Sequence, residues 1–205
     1  MWWYYVIFSV VGYFFGCSNL AWYLAKLKGV DLSSKGSGNP GTSNAVILMG
    51  WKWGILVGAH DIGKALLPVV VAKIFFPEIP GLAETAGVAA VIGHIFPVFL
   101  KFKGGKGFAS FVGLMFALDW KFGIAMVVAI VLITVISDYL VIATTTTVLA
   151  LPIWLAITAD WKWSALIVSV ATFVIIFMHR MNYVKIWKKQ EIGLRSTIKG
   201  EHRVK

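Results

Sequence analysis

Residues 1–25, MWWYYVIFSVVGYFFGCSNLAWYLA, contain no charged side chain. A helix needs about 20 consecutive apolar residues to cross the hydrocarbon core of a bilayer, and this stretch is long enough. Its nearest positive charges, Lys26 and Lys28, follow the apolar run, whereas a secretory signal peptide carries its positive charges before the run. No small-residue cleavage pattern is present. The stretch therefore predicts a retained transmembrane helix.

The whole chain has the composition of a membrane protein. Of its 205 residues, 59% are hydrophobic, and ten are Trp and fourteen are Phe. Such a chain has too few polar side chains to cover the surface of a water-soluble globule. We predict an all-α polytopic membrane protein with a single transmembrane domain, residues 1–205. Its seven apolar segments lie at residues 1–25, 50–76, 83–100, 107–118, 121–137, 139–159 and 162–180.

Two of these segments are weaker than the rest. Segment 107–118 is short for a bilayer. The second segment contains His60, Asp61 and Lys64, and charged side chains are costly in lipid unless they face the interior of a helix bundle. We therefore expect Asp61 and Lys64 to form a buried polar pair.

The placement of Lys and Arg predicts the orientation, because these residues prefer cytoplasmic loops. With the N-terminus outside and the C-terminus in the cytoplasm, the inside loops hold most of the positive charge. Those charges are Lys26, Lys28, Lys35, Lys101, Lys103, Lys106 and a tail that runs from Arg180 through Arg195 to Arg203 and Lys205. The opposite loops carry Glu78, Glu84, Asp119 and Asp160. Topology and contact with anionic lipid thus explain the net charge of +10 better than nucleic-acid binding, which would need a folded soluble domain.

Cysteine and histidine usage gives no sign of a metal site. Cys17 is the only cysteine, so an intrachain disulfide is excluded, and a small apolar filler is its simplest role. The four histidines are scattered and no Asp or Glu pair accompanies them at the spacing of metal ligands. We therefore expect no structural zinc site.

The first inside loop, residues 35–45, reads KGSGNPGTSNA. Its three glycines and one proline within residues 35–41 exclude a helix there, and they let the backbone turn its amides inward. Donors surround this backbone, which could cradle a phosphate; they are Ser37, Asn39, Thr42, Ser43 and Asn44. Gly, Ser, Asn and Pro also make ordinary loops, so this loop alone leaves both interpretations open.

The second inside loop ends the stretch HIFPVFLKFKGGKG, residues 94–107. An apolar helix end is followed by seven residues with three lysines and three glycines. Gly104 and Gly105 permit close backbone approach, and Lys106 supplies a point charge just before a helix whose N-terminus attracts anions. The pattern is not a nucleotide P-loop, because the required spacing is missing. It predicts an anion site at the membrane edge.

The third inside segment, HRMNYVKIWKKQE, covers residues 179–191. On a helix, His179, Asn182 and Ile186 share one face. A basic amphipathic tail lying on lipid would explain this segment if it stood alone.

Together the three segments resemble the signature motifs of the membrane-integral glycerol-3-phosphate acyltransferases that use acyl phosphate, the PlsY family. The Asp61-x-x-Lys64 pair also stands where that family has one, and the resemblance extends over essentially the whole chain. It implies a seven-helix enzyme of the bacterial inner membrane, with its active site at the cytoplasmic face. The implied reaction moves an acyl group from acyl phosphate to the 1-hydroxyl of glycerol 3-phosphate, giving lysophosphatidic acid for phospholipid synthesis. No metal or cofactor is implied.

Under this resemblance the candidate site residues divide into two groups. We expect catalytic roles for His94, Lys106, His179 and Asn182. We expect phosphate binding by Gly36, Ser37, Gly38, Asn39, Asn44, Gly104, Gly105, Arg180 and Glu191. An acyl phosphate is already activated, so the site must mainly hold two phosphates and offset developing charge. Either His94 or His179 could take the proton of the alcohol, and the sequence does not choose between them.

Some residues depart from the family pattern at the acceptor side. Ile47 stands where the family has an arginine, Asp138 replaces a second arginine, and Val141 replaces a serine. A guanidinium that grips phosphate with two hydrogen bonds is not replaced by isoleucine. Two alternatives to the implied reaction therefore stay open, namely acyl transfer to another acceptor and non-enzymatic transport of an anion or lipid phosphate.

Overall fold

The computed structural model describes residues 1–199 as a bundle of helices, with no β-strand among them. Arg203 and Lys205, counted above among the inside charges, lie outside the described residues. A short 3-10 turn at Val98–Leu100 precedes the second loop. The helices are α1 (Trp2–Cys17), α2 (Leu20–Lys28), α3 (Thr42–Met49), α4 (Trp51–Phe75), α5 (Leu82–Ile95), α6 (Phe108–Leu118), α7 (Trp120–Ser137), α8 (Leu140–Thr158), α9 (Trp163–Met178), α10 (Arg180–Trp187) and α11 (Leu194–Lys199).

The observed helices match the predicted apolar segments to within a few residues. Five described stretches are long and apolar enough to cross a membrane, and α9 with α10, bent by 42°, would make a sixth. The remaining predicted span, residues 107–118, corresponds to α6, which has only 11 residues. At about 1.5 Å per residue, α6 is roughly 16 Å long, or half of a typical hydrocarbon core. The all-helical membrane fold is confirmed, and the count of seven spans stays a prediction.

The first span is broken where α1 meets α2. Ser18 follows the last residue of α1, and the side chain of Asn19 begins α2 by accepting a hydrogen bond from the Trp22 amide. Asn is a preferred N-cap because its side-chain oxygen satisfies an amide that has no partner within the helix. The break leaves backbone polar groups at Ser18 available to other parts of the chain, and the site uses one of them.

Glycines allow α1 and α5 to touch backbone to backbone. A Cβ on Gly12 would collide with the Ala86 carbonyl, and one on Gly16 would collide with the Ala90 carbonyl. In lipid, helix association depends on such close packing, because the surrounding acyl chains are as apolar as the helices. This pair carries the break after α1 and the end of α5, so its packing sets how far apart two parts of the site lie.

The helix α3 was not predicted from the sequence. The first loop is non-helical through Gly41, as expected, but a helix begins at Thr42 and ends at Met49. It returns against α4, where Gly58 lies beside the Thr42 side chain and Gly54 beside Val46. Residues 42–45 therefore belong to a helix, which corrects the extent of the predicted loop.

The core lies between α4, α5, α6, α8 and α9. Phe111, Leu114 and Met115 of α6 are fully buried there, in the same apolar cluster as Val91 of α5 and Val148 of α8. By contrast, α7 leaves most of its large apolar side chains exposed. In water such a surface would be unusual, whereas against lipid tails it costs nothing. The short helix α6 is thus an internal element, and the helices around it face the lipid.

Candidate active site

A cluster of polar side chains is buried beneath the loops, centred on Asp61 of α4. Its carboxylate oxygen Oδ1 lies 3.0 Å from Lys64 Nζ, 3.5 Å from His94 Nδ1 and 3.5 Å from His60 Nδ1. Asp61 and Lys64 are 2% and 6% exposed, so the predicted buried pair is present and faces the bundle interior. The ammonium of Lys64 beside the carboxylate disfavours a metal cation there, and the described residues hold no group arranged to bind one.

Lys64 connects this cluster to the broken first span. Its ammonium donates a 2.6 Å hydrogen bond to the carbonyl of Ser18, a group that the break between α1 and α2 releases. The next residue, Asn19, donates from Nδ2 to the Pro40 carbonyl in the first loop at 3.3 Å. The hydroxyl of Ser18 also lies 3.0 Å from His60 Nε2. The break is therefore a junction between the buried cluster and the glycine-rich loop.

The first loop is organised around Asn44, which is completely buried. Its amide nitrogen Nδ2 donates to the carbonyls of Leu32 and Lys35, at 2.9 and 3.2 Å, and its Oδ1 accepts from the Ser37 amide at 2.8 Å. Gly36, at φ +62°, packs directly on this side chain, and a Cβ there would meet Asn44 Oδ1. In this arrangement Asn44 shapes the loop, and its polar groups are already used by the protein.

The other predicted phosphate residues of this loop are more accessible. Ser37 and Asn39 are half-buried, and Gly36 and Gly38 are exposed. Gly38 has φ +70°, a left-handed conformation that side chains other than glycine adopt at a cost. Among the described hydrogen bonds, the side chains of Ser37 and Asn39 make none, so both remain available to a ligand.

The two central glycines of the second loop pack against His94. The amides of Gly104 and Gly105 donate 3.1 Å hydrogen bonds to the carbonyls of Ile95 and His94, respectively. A Cβ on Gly105 would collide with the imidazole ring of His94, and one on Gly104 would collide with the His94 carbonyl. Both positions therefore require glycine to let the loop fold onto the end of α5. Phosphate binding by these glycines stays a prediction, and their amides are occupied in this conformation.

Lys106 joins the second and third segments. Its Nζ donates to Asn182 Oδ1 at 2.5 Å, and Asn182 Nδ2 donates to Glu191 Oε1 at 2.6 Å. Burial lowers the pKa of Lys106, the carboxylate of Glu191 opposes this shift, and Lys185 adds to it. Lys106 also stands immediately before Gly107, the N-cap of α6, as the sequence predicted. Three predicted site residues from two distant segments thus form one hydrogen-bonded chain.

His179 occupies the bend between α9 and α10. Its Nδ1 lies 2.8 Å from the Ile175 carbonyl. Because a carbonyl can only accept, Nδ1 carries the proton in this contact. The neutral ring therefore has an unprotonated Nε2 that can accept a proton or a hydrogen bond. Asn182 lies one turn further along α10, and its backbone amide donates to the His179 carbonyl at 2.8 Å.

Arg180 is exposed, and its guanidinium contacts other groups than the hydrogen-bonded series Lys106–Asn182–Glu191. Its Nη1 donates to the Phe177 carbonyl at 2.9 Å, and the guanidinium lies 4.2 Å from the centroid of the Phe177 ring. It would have to leave these contacts to bind a substrate phosphate. Its predicted role in phosphate binding therefore stays a prediction.

The three departures from the family pattern have distinct surroundings. Ile47 on α3 and Val141 on α8 are buried apolar residues, so neither side chain offers a polar contact. Asp138 has φ +69° at the end of α7, and its carboxylate accepts a hydrogen bond from the Arg195 amide at 2.8 Å. Asp138 therefore has a structural partner in this chain.

Ser18 and Asn19 were not predicted as site residues, and His60 was noted in the second apolar segment without a role in the site. Ser18 and Asn19 carried a signal, because they are consecutive polar residues within an otherwise apolar run and Asn is a preferred N-cap. His60 precedes Asp61, so its proximity to the polar pair could have been read from the sequence. The contact of Asp61 with His94 of α5 had no sequence signal, since it depends on tertiary packing.

Comparisons with known proteins identify the family of this chain. Residues 6–189 match the family described as glycerol-3-phosphate acyltransferase. The chain is 35% identical over 203 residues to glycerol-3-phosphate acyltransferase 1 of Oceanobacillus iheyensis, covering 94% of this chain and 96% of that protein. It is 32% identical over 203 residues to the glycerol-3-phosphate acyltransferase of Thermoanaerobacter pseudethanolicus, covering 96% of this chain and 100% of that protein.

Two crystal structures of PlsY (YgiH), an integral membrane glycerol 3-phosphate acyltransferase, share the fold. The glycerol 3-phosphate form superposes with a TM-score of 0.88 at 29% identity, covering 94% of this chain and 96% of that one. The lysophosphatidic acid form gives a TM-score of 0.84 at 29% identity, covering 92% and 94%. The chain therefore belongs to the glycerol-3-phosphate acyltransferase family and is an integral membrane acyltransferase.

Proposed function

We propose that this protein transfers a fatty acyl group from acyl phosphate to the 1-hydroxyl of glycerol 3-phosphate, yielding lysophosphatidic acid for phospholipid biosynthesis. One observation carries the proposal. The side chain of Lys106, in the glycine-lysine loop, is hydrogen-bonded to Asn182 and through it to Glu191, so two of the three predicted motifs share one polar chain. The names of the family and of the related structures support the same reaction.

The reaction needs no covalent enzyme intermediate. The hydroxyl oxygen of glycerol 3-phosphate attacks the acyl carbonyl carbon, a new ester C–O bond forms, and the C–O bond to phosphate breaks. Inorganic phosphate leaves, and the hydroxyl proton passes to a base. Because the donor is a mixed anhydride, the protein must chiefly bring the two phosphates together and stabilise the developing negative charge.

Lys106 is the group best suited to hold that charge. It is partly desolvated, and an ammonium interacts with an anion more strongly where water is scarce. It also precedes the N-terminus of α6, whose backbone amides favour a nearby anion. The available side chains of Ser37 and Asn39 complete a polar surface on the first loop.

The two predicted histidines differ in what they can offer a substrate. His94 is 3% exposed, and its Nδ1 faces Asp61. Its ring packs against Gly105, so we assign it the role of positioning the second loop. His179 has an unprotonated Nε2 as long as Nδ1 donates to Ile175. We assign the acceptance of the alcohol proton to His179, and a His179→Gln variant should lose rate without losing the fold.

The donor and the location are part of the same proposal. We place the protein in a bacterial inner membrane, with the site on the cytoplasmic face and the acyl chain lying among apolar helices. Lys106 and Asn182 join the second and third segments directly. The first loop is linked to His94 indirectly, through Asn19 and Ser18 and then through Lys64 and Asp61. These contacts support the meeting of the three segments at one end of the bundle. The concentration of lysines in those segments supports that end being cytoplasmic.

Cysteine labelling tests this orientation. In a Cys17→Ser background, single cysteines replace exposed residues, three at the proposed cytoplasmic end and one at the other: Lys35, Lys103, Gln190 and Asp160. A membrane-impermeant maleimide should label the first three from the cytoplasmic face only and the fourth from the outside only. Labelling of positions 35 and 103 from opposite faces would contradict a shared site.

An acceptor assay tests the reaction. Purified protein in detergent is given palmitoyl phosphate with glycerol 3-phosphate, with glycerol, or with dihydroxyacetone phosphate, and products are identified by mass spectrometry. Lysophosphatidic acid formed from glycerol 3-phosphate is the expected product. Transfer only to another acceptor would support the alternative raised by Ile47 and Val141, and the absence of any acyl transfer would refute the proposal.

A further inference from the structure

The last described segment of the chain, residues 191–199, is attached to the turn between α7 and α8. The Asp138 carbonyl accepts from the Leu194 amide at 2.8 Å, and Asp138 Oδ1 accepts from the Arg195 amide at 2.8 Å. The Arg195 guanidinium also donates to the Val135 carbonyl at 3.1 Å. Asp138 thus caps the start of α11 from a distant part of the sequence.

The fit at this point is close. Gly193 is buried, and a Cβ on it would collide with the carboxylate of Asp138. Asp138 itself has φ +69°, in the left-handed region that Asp and Asn tolerate better than most side chains. The residue type therefore suits both the backbone of the turn and the capping contact.

The contact between Asp138 and residues 193–195 lies next to the hydrogen-bonded series Lys106–Asn182–Glu191. Glu191 precedes Gly193 by two residues, and its carboxylate accepts the hydrogen bond from Asn182, which in turn accepts from Lys106. Fixing Gly193 and Arg195 therefore restricts where the Glu191 carboxylate can lie. An exposed segment without that restraint would sample many positions, at the expense of the chain Lys106–Asn182–Glu191.

We propose that Asp138 is a positioning residue for the acyl-transfer site. It fixes the segment that carries Glu191, and Glu191 orients Asn182 and Lys106. This inference rests on the proposed function in that the aligned group is the one that holds substrate phosphate. It gives a role to a residue that departs from the family pattern.

Three variants separate the carboxylate from the backbone conformation. Asp138→Gly keeps the left-handed backbone and loses the cap, whereas Asp138→Asn keeps both, because Asn also caps helices and tolerates this conformation. Asp160→Gly is the matched control, since Asp160 is exposed at the opposite end of α8. Each variant is assayed for the kcat and KM of glycerol 3-phosphate.

A second readout does not depend on activity. A nitroxide is attached to a cysteine replacing the exposed Ile198 in a Cys17→Ser background, and its mobility is measured by electron paramagnetic resonance. Asp138→Gly should raise the mobility and lower kcat/KM about tenfold, mainly through kcat, because Lys106 stabilises charge that develops in the transition state. Asp138→Asn should stay within threefold of the wild type in kcat/KM, and both Asp138→Asn and Asp160→Gly should leave the mobility of the label as it is in the wild type.

Two outcomes would overturn the inference. Unchanged label mobility in Asp138→Gly would mean that the carboxylate does not anchor the segment. Raised mobility with unchanged kcat/KM would mean that the anchor does not position the site. If the wild type forms no lysophosphatidic acid, the proposed function fails separately. The mobility of the label then tests only whether Asp138 anchors the segment, and raised mobility in Asp138→Gly would support that anchoring.

Discussion

The buried cluster around Asp61 makes a quantitative prediction about stability. Asp61→Asn preserves the size of the side chain but removes the negative charge that faces Lys64 at 3.0 Å. The Lys64 side chain is 4% exposed, so water cannot replace the lost partner. The variant leaves an uncompensated ammonium inside the bundle.

The expected cost follows from that burial. Removing one partner of a buried ion pair typically costs about 3–5 kcal/mol, because the remaining charge stays desolvated. For a chain of this length, 1 kcal/mol corresponds to roughly 2–4 °C in Tm, so the Tm should fall by roughly 6–20 °C. The double variant Asp61→Asn/Lys64→Met removes the unpaired charge and sacrifices mainly the hydrogen bond from Lys64 to Ser18, worth about 1 kcal/mol. It should therefore recover more than half of the loss.

The assay is thermal unfolding of the purified proteins in one detergent, followed by intrinsic tryptophan fluorescence. Asp160→Asn serves as the control, because this exposed residue should leave Tm unchanged within about 1 °C. A Tm for Asp61→Asn within 3 °C of the wild type would refute the reasoning. A double variant no more stable than the single variant would refute it as well, since the uncompensated lysine would then not be the cause.

Two further predictions concern substrate binding. Restoring a guanidinium with Ile47→Arg should lower the KM for glycerol 3-phosphate about tenfold. A charge-assisted hydrogen bond contributes about 1.5–3 kcal/mol, and part of that is lost to desolvation. An unchanged or higher KM in steady-state kinetics would argue against glycerol 3-phosphate as the acceptor. Burial depresses the pKa of Lys106 and Glu191 opposes that shift, so Lys106 loses its proton, and its phosphate contact, at a lower pH than an ordinary lysine. Glu191→Gln keeps a hydrogen-bond acceptor for Asn182 but removes the opposing charge. The alkaline limb of the pH profile of kcat/KM should therefore move to lower pH. If this limb stays in place or moves to higher pH, Lys106 is not the group that causes it.

The spans were predictable because each depends on local composition. Uncharged runs such as residues 1–25 must cross lipid or be buried, whatever the rest of the chain does. The helix α3 escaped prediction because eight residues after a glycine-rich loop carry too little periodic pattern to identify. The close approach of α1 to α5 did have a signal in the spacing of Gly12 and Gly16, which is typical of packed membrane helices.

The hydrogen bonds that connect the candidate site residues could not be predicted from the sequence. Lys106 and Asn182 are 76 residues apart, and nothing in either segment indicates that their side chains meet. The roles of Gly105 and Asn44 also depend on tertiary structure, since one makes room for His94 and the other ties a loop together. Residue type indicated that these positions matter, whereas only the packing indicates how.

The central claim is that Lys106 serves a site that transfers an acyl group from acyl phosphate to glycerol 3-phosphate. The most direct measurement compares the rate of lysophosphatidic acid formation from palmitoyl phosphate by the purified wild type and by Lys106→Met, a variant that keeps the length of the side chain. The wild type should form the product, and Lys106→Met should form it about 100-fold more slowly, as expected for a lost contact to developing charge of about 3 kcal/mol, while eluting as the same species in gel filtration. No product from the wild type, or a rate in Lys106→Met within threefold of the wild type, would contradict the account.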